Sequence, residues 1–98
     1  MKIIKNQNGG CLTIALEGRL DTTTAPELEQ EIKNSLGGVT ELVMDFAKLD
    51  YISSAGLRVL LAAQKQMQKQ GAMKVIHVNE MVMEVFEVTG FADILTIE

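Results

Sequence analysis

Two short, almost continuous apolar runs constrain the fold more than any other feature of the sequence. They cover residues 42–46 and 74–78. Runs of this length and composition are typical of strands that are covered on both faces of a sheet. The stretch between them has the periodicity of a helix, which begins after Ser53 and extends to about Gln70. Because a helix separates the two strands, we expect a right-handed parallel crossover.

The phase of this central helix predicts which side chains are buried. At 100° per residue, one narrow stripe faces the core. It contains Gly56, Leu60, Ala63 and Met67. The opposite side faces solvent, and it contains Ser54, Arg58, Leu61 and Lys65. We expect the Ser53 hydroxyl to cap the helix, and Gly71 to end it in a left-handed conformation.

The flanking segments predict further elements around this unit. Residues 2–5 and 11–17 form a hairpin across the turn 6–10, since apolar and polar side chains alternate in the second segment. A helix follows, with a capping box formed by Thr24 and Glu27 and an end at residues 37–38. Asn79 caps a last helix over 80–88, which Gly90 closes before a short strand at 94–97. The predicted fold is an α/β domain with a small mixed sheet, in which a hairpin joins parallel strands and helices pack over them.

Composition limits the possible functions. The 98 residues, 47% of them apolar, suit a single domain over positions 1–98. A net charge of −4 argues against nucleic acid. No apolar run approaches the roughly 20 residues that span a bilayer. The first residues do not lead into an apolar signal segment, so a cytoplasmic location is expected. Cys11 is the lone cysteine, which favours a small packing residue over a disulfide.

The residues of catalysis are not grouped in the sequence. A nucleophilic serine needs a base, and His77, the lone histidine, is predicted to lie inside an apolar strand. One cysteine, one histidine and no clustered carboxylates predict neither a metal site nor a cofactor site. The six methionines are expected to fill gaps in the core. An enzyme is therefore not expected.

The segment 52–57, Ile-Ser-Ser-Ala-Gly-Leu, resembles the phosphorylation loop of bacterial anti-sigma-factor antagonists, which belong to the STAS-domain family. In that resemblance Ser54 matches the phosphorylated serine, and Gly56 and Leu57 match the family's Gly-Leu pair. Ser53 stands where the family commonly has Asp, and Arg58 stands where many members have Gly. The resemblance extends over the whole chain, since the C-terminal pattern of Val, Phe and Gly residues also matches.

The resemblance implies a binding module that is switched by phosphorylation. The unphosphorylated form would bind a serine-kinase anti-sigma factor and release the sigma factor, and a serine phosphatase would restore that form. The implied partner surface contains Asp21, Ser53, Gly56, Leu57, Arg58 and Leu61. Read without the resemblance, Asp21 is also consistent with an ordinary turn residue. The free protein is expected to be a monomer.

A different class of function stays open. A structural STAS subunit that is never phosphorylated could work in a signalling scaffold or a lipid-transport complex. The replacement of the family's Asp by Ser53 favours this alternative.

Overall fold

The strands of the sheet lie side by side in the order in which they occur along the chain. The computed structural model describes residues 1–98, with the sheet order β1-β2-β3-β4. β1 and β2 pair antiparallel, whereas β2, β3 and β4 pair parallel. The strands are β1 (Lys2–Asn8), β2 (Cys11–Leu20), β3 (Glu41–Ile52) and β4 (Ala72–Ile76). The helices are α1 (Ala25–Ser35), α2 (Ser54–Gln68) and α3 (Glu80–Thr89), and a short 3₁₀ turn follows at Phe91–Asp93. The predicted α/β fold with a mixed sheet is confirmed.

One apolar core joins the sheet to the helices. It contains 24 buried residues and no buried polar or charged residue, so apolar packing alone fills it. In β2 the side chains alternate, with Leu12, Ile14 and Leu16 buried against half-exposed neighbours. Helix α2 packs on β3 and β4, α1 packs on α2, and α3 packs on β3. The predicted buried stripe of α2 is confirmed from Gly56 to Met67.

The start of α1 differs from the predicted capping box. Thr24 occupies the N-cap position, but its side chain accepts no hydrogen bond from the helix. Its hydroxyl instead donates to the carbonyl of Arg19 at 2.9 Å and accepts from the amide of Asp21 at 2.8 Å. The Asp21 carboxylate accepts from the Thr24 amide at 3.2 Å. The aspartate therefore organises the turn before α1, and the predicted role of Thr24 is wrong.

The end of α2 also differs from its prediction. Gly71 does not adopt a left-handed backbone. A side chain at this position would instead overlap the backbone oxygen of Thr40, because the chain passes directly over the start of β3. The Gln70 side-chain amide fixes this end of α2, since it donates to the carbonyls of Leu36 at 2.7 Å and Val39 at 2.6 Å. Glycine is needed here for close approach and not for its left-handed conformation.

The C-terminal part confirms one cap and corrects one strand. The Asn79 side chain accepts from the Val82 amide at 2.8 Å, and Gly90 closes α3 at φ +83°, both as predicted. His77 lies beyond the end of β4, exposed and at φ +58°, and not inside the strand. The expected terminal strand is reduced to a single parallel bridge between Val75 and Ile97.

Two smaller expectations concern sulfur-containing side chains. The half-exposed Cys11 thiol lies 3.4 Å from the Glu41 carboxylate, to which it donates. This hydrogen bond raises the pKa of the Cys11 thiol, which keeps it protonated and weakly reactive. Among the methionines, Met44 and Met67 are fully buried, but Met81 is 59% exposed and fills no gap in the core.

Candidate functional site

The two consecutive serines lie where β3 passes into α2 without an intervening loop. β3 ends at Ile52 and α2 begins at Ser54, so Ser53 alone links them in extended backbone. The Ser53 amide donates to the carbonyl of Leu20 at the end of β2, at 2.9 Å. The Ser53 carbonyl accepts from the Leu57 amide at 3.0 Å, which is the first bond of the helix. The backbone of two parallel strands therefore fixes the position of the serines.

The Ser53 side chain does not cap α2, contrary to the prediction. Its hydroxyl makes no hydrogen bond and is buried from solvent. No acidic residue lies in the first turn either. The positive end of the α2 dipole is thus left without a side-chain acceptor. This end of the helix is electrostatically suited to a group that carries negative charge.

Ser54 lies at the surface of this helix end, with a cation one turn further along. Ser54, Arg58 and Lys65 are exposed and Leu61 is half-buried, which confirms the predicted outer side of the helix. At a spacing of four residues, side chains of a helix are neighbours. An anionic group on Ser54 would therefore be within reach of the Arg58 guanidinium.

Gly56 and Leu57 are buried and do not offer side-chain surface to a partner. Leu57 is 5% exposed and belongs to the core. A Cβ atom on Gly56 would lie 2.7 Å from Cγ of Leu20 and 2.9 Å from Cγ1 of Ile52. The absence of a side chain thus lets α2 lie directly on the ends of β2 and β3. Gly56 and Leu57 therefore determine how closely the start of α2, which carries the serines, packs on the sheet.

Asp21 lies one residue after Leu20, whose carbonyl binds the serine segment. Its carboxylate accepts from the Thr23 hydroxyl at 2.8 Å and from the Thr23 amide at 3.0 Å. The Thr23 hydroxyl, followed by backbone amides of the turn, holds the pKa of Asp21 below its ordinary value. Asp21 is therefore an ionised turn residue, which confirms that interpretation, and its place in a partner surface stays a prediction.

A basic side chain that sequence reasoning did not select stands beside Asp21. The Arg19 guanidinium lies 4.3 Å from the centre of the Tyr51 ring, and its Nε lies 3.8 Å from the Asp21 carboxylate. Arg19 and Tyr51 are paired across β2 and β3. This pairing follows two shifts in the register of the strands, at residues 15–17 and 18–19. The sequence alone does not reveal such shifts. The sequence signal for this residue is only that Arg19 directly precedes Leu20 and Asp21.

A shallow cleft of about 210 Å³ adjoins the site, between the first turns of α1 and α2. Its lining includes Thr22 and Pro26 from the α1 side and Ala55 and Arg58 from the α2 side. The cleft opens widely to solvent. It extends the exposed surface around Ser54 towards α1.

The imidazole of His77 is remote from the serines. The Nδ1 atom of His77 lies 2.9 Å from the Asp45 carboxylate. Asp45 precedes Ser53 by eight residues on an extended strand, which corresponds to roughly 26 Å. The imidazole therefore does not act as a base for either serine. The structure contains no group of three or more acidic, His or Cys side chains arranged to hold a metal ion. None of its helices combines the length and the apolar character needed to cross a bilayer.

The chain is similar in sequence to proteins of a known family. The family model for the STAS domain matches residues 2–98. A Bordetella bronchiseptica protein named BtrV, described as a candidate anti-sigma factor antagonist, is 38% identical over 99% of this chain and 85% of its own length. The anti-sigma-B factor antagonist of Bacillus subtilis is 27% identical over 93% of this chain and 84% of its own length.

Solved structures show the same fold. An anti-sigma factor antagonist from Mycobacterium paratuberculosis superposes with a TM-score of 0.89 at 23% identity, over 98% of this chain and 83% of its own. SpoIIAA in its unphosphorylated form superposes with a TM-score of 0.86 at 18% identity, over 99% of this chain and 88% of its own. The structural likeness shows the fold, and the family match over residues 2–98 shows the ancestry: the chain belongs to the STAS domain family.

Proposed function

We propose that the protein is an anti-sigma-factor antagonist whose binding to a serine-kinase anti-sigma factor is switched by phosphorylation of Ser54. The observation that carries this proposal is the exposure of Ser54 on the first turn of a helix whose N-terminus has no side-chain acceptor. The names of the relatives in Bordetella and Bacillus support it. In this proposal the protein binds its partner and catalyses no reaction of its own.

The chemistry of the site suits a reversible switch. A phosphate on Ser54 adds a charge of about −1.5 to −2 at neutral pH. The free N–H groups of the first turn and the Arg58 side chain would both stabilise that charge within the folded protein. The backbone around the serines is held by β2 and β3 and does not depend on the Ser54 hydroxyl. Phosphorylation should therefore leave the fold intact and change only the surface that a partner meets.

The proposed partner surface surrounds Ser54. Asp21, Arg58 and Leu61 supply its accessible side chains, while Gly56 and Leu57 support it from the core. The Ser53 hydroxyl is buried, so a kinase would find the Ser54 hydroxyl and not that of Ser53. In this proposal a serine phosphatase removes the phosphate from Ser54. Phosphorylation and dephosphorylation take place in the bacterial cytoplasm, and the free protein is a monomer.

The alternative is a structural STAS subunit that is never phosphorylated. The observation that favours it is Ser53, because the family commonly has an aspartate at this position. A kinase that requires a carboxylate before the acceptor serine would not modify this chain. Partner binding would then be constant and would not respond to ATP.

Phosphate mapping distinguishes these functions. The protein would be incubated with ATP and a kinase-type anti-sigma factor encoded beside its gene, and the product mapped by mass spectrometry. We expect the phosphate on Ser54, with modification lost in Ser54→Ala and retained in Ser53→Ala. A phosphate on Ser53, or modification that persists in Ser54→Ala, would reverse the assignment.

Calorimetry tests the consequence for binding. Ser54→Ala should bind the anti-sigma factor nearly as well as the wild type. Ser54→Asp should bind about tenfold or more weakly, because the partner would have to desolvate a charge that it does not pair. Adding Arg58→Gly to Ser54→Asp should weaken binding further, since Arg58 partly neutralises the carboxylate. Equal affinities of Ser54→Asp and wild type would refute the charge switch and favour the structural subunit.

A further inference from the structure

Helix α3 carries an apolar surface that nothing in the fold covers. Four large hydrophobic side chains of the protein are exposed, of which two lie on α3 and a third follows the 3₁₀ turn after it. Met81 is 59% exposed, Val88 is 77% exposed, and Ile94 is 44% exposed. The fourth, Ile4, lies on the edge strand β1. Exposed apolar groups that cluster on one element indicate an interaction surface more than isolated ones do.

The outer side of α3 combines these apolar groups with carboxylates. Val82 and Phe86 attach the helix to the core. The opposite side presents three carboxylates at positions i, i+4 and i+7, which belong to Glu80, Glu84 and Glu87. Met81 and Val88 lie along one flank of the three carboxylates. Along the other flank, Val78 and Met83 line an open groove of about 570 Å³ that the three carboxylates also border.

The three carboxylates have no cationic partner within the protein. Each of the six ion pairs of the structure involves other residues. α3 contains no Lys or Arg, and Glu84 lies within one turn of both Glu80 and Glu87. Like charges at this spacing destabilise a helix, and an acidic residue near its C-terminus does so as well. Glu80, in the first turn, suits the positive end of the helix, whereas Glu84 and Glu87 are unfavourable for α3 alone and would be stabilised beside a cation.

We propose that the outer side of α3 binds a basic amphipathic helix of a partner protein. The apolar residues of such a helix would cover Met81 and Val88, and its Lys or Arg side chains would pair with the carboxylates. A second copy of this chain is disfavoured as the occupant, because antiparallel α3 helices would bring six carboxylates together. The negative charge also disfavours an anionic lipid surface.

This surface is distinct from the one around Ser54. The Asn79 side chain donates to the carbonyl of Leu49 at 2.8 Å and so anchors the N-terminus of α3 to β3. This anchor depends on no atom of Ser53 or Ser54. The inference therefore stands independently of phosphorylation, and the α3 surface stays available in both forms of the proposed switch.

A model peptide tests the proposed chemistry directly. The probe is a synthetic lysine–leucine peptide designed as an amphipathic helix, and the control peptide has the same composition in scrambled order. Binding to the ¹⁵N-labelled protein would be followed by fluorescence anisotropy and by amide chemical shifts. The variants Glu84→Gln and Val88→Ser would be compared with Glu27→Gln on α1 and Ile4→Ser on β1. These controls remove an exposed carboxylate and an exposed apolar side chain from other surfaces.

We expect the amphipathic peptide to shift amides of α3 and to bind more tightly than the scrambled peptide. Glu84→Gln should weaken binding about threefold, and Val88→Ser about fivefold, whereas the two controls should not change it. Added salt should weaken binding further. The proposal is overturned if the controls weaken binding equally or if the shifts lie elsewhere. It is also overturned if ultracentrifugation shows a dimer of the wild type that Val88→Ser dissociates.

Discussion

Replacement of Gly56 by alanine tests how closely α2 lies on the sheet. The new methyl group would lie 2.7–2.9 Å from side-chain atoms of Leu20 and Ile52, whereas carbon atoms in contact need about 3.5 Å or more. Leu20 is 0% exposed and Ile52 is 2% exposed, so neither can move into solvent. Overpacking of this kind costs about 1–3 kcal/mol. The higher helix propensity of alanine offsets about 1 kcal/mol of that cost.

The net loss expected for Gly56→Ala is therefore about 0–2 kcal/mol of unfolding free energy. Because the contacts to Leu20 and Ile52 are both shorter than 3.0 Å, we expect the upper end of this range. For a domain of this size, a loss of about 2 kcal/mol corresponds to a melting temperature lower by about 8–16 °C. Thermal unfolding followed by circular dichroism would measure it. The matched control is Gly37→Ala, because an added Cβ atom there meets no atom within 4 Å and its φ is not positive.

The same substitution should loosen the serine segment. As α2 moves away from β2, the hydrogen bond from the Ser53 amide to the Leu20 carbonyl should lengthen, and exchange of the Ser53 amide proton should become faster. If Gly56→Ala melts at the same temperature as Gly37→Ala and the Ser53 amide stays protected, then the close approach of α2 is refuted. The support that we assign to Gly56 would then be withdrawn.

Three further tests address the core, a close backbone contact and a titrating turn. Leu60→Ala should lower the unfolding free energy by about 2–5 kcal/mol, because Leu60 is fully buried. Leu61 is half-buried, so Leu61→Ala should lower it far less. Equal losses in urea denaturation would show that the helical phase is wrong. Gly71→Ala should destabilise more than Gly56→Ala, because the clash is with backbone that cannot rotate away, and unchanged melting would contradict this. The hydrogen bond from the Thr23 hydroxyl lowers the pKa of Asp21 in the folded protein. The ionised carboxylate therefore contributes its full stabilisation above the ordinary pKa of Asp, and this contribution is lost as the pH falls through the lowered pKa of the folded state. Asp21→Asn should therefore flatten the acid limb of stability against pH, and an unchanged limb would count against this account.

Features set by local pattern could be predicted from the sequence. The spacing of Leu60 and Met67 fixed the buried side of α2, and both are fully buried. Asn79 has no competing partner for its carboxamide oxygen, so it caps α3 as its position before the helix indicates. The location of Ser54 on an exposed first turn follows from the same helical phase. These features depend on the chain within a few residues of each position.

Features set by competing hydrogen bonds or by distant backbone could not be predicted in this way. Thr24 was expected to cap α1, but the carbonyl of Arg19 and the turn of Asp21 compete for its hydroxyl. Gly71 was expected to be left-handed, but its requirement comes from Thr40, thirty-one residues earlier in the chain. His77 turns out of the strand at positive φ and meets Asp45 of β3. The outcomes at Gly71 and His77 depend on which residues of the chain lie beside the start and middle of β3, whereas Thr24 is redirected by the turn directly before it.

The contacts of the site that join β2 to β3 could not be predicted from the sequence either. Arg19 and Tyr51 become neighbours only after the register of β2 and β3 shifts twice. The burial of Leu57, which the family pattern placed on the partner surface, likewise depends on the depth at which α2 rests on the sheet. Motif recognition thus located the serine for which we propose phosphorylation, and the three-dimensional contacts separated its exposed neighbours from the buried residues beneath it.

The strands lie in the sheet in the same order as in the chain, and this order has a consequence for folding during synthesis. Each strand pairs with the strand that the ribosome made before it, so every new segment can add to an edge that already exists. No strand has to be inserted between two others, and the closure entropy of each pairing is limited to one hairpin or one crossover helix. The serine segment reaches its folded position only after β3 has docked on β2, because the Ser53 amide donates to the Leu20 carbonyl at the end of β2. A nascent chain would therefore not present the serine segment in its folded geometry until most of its sheet has formed.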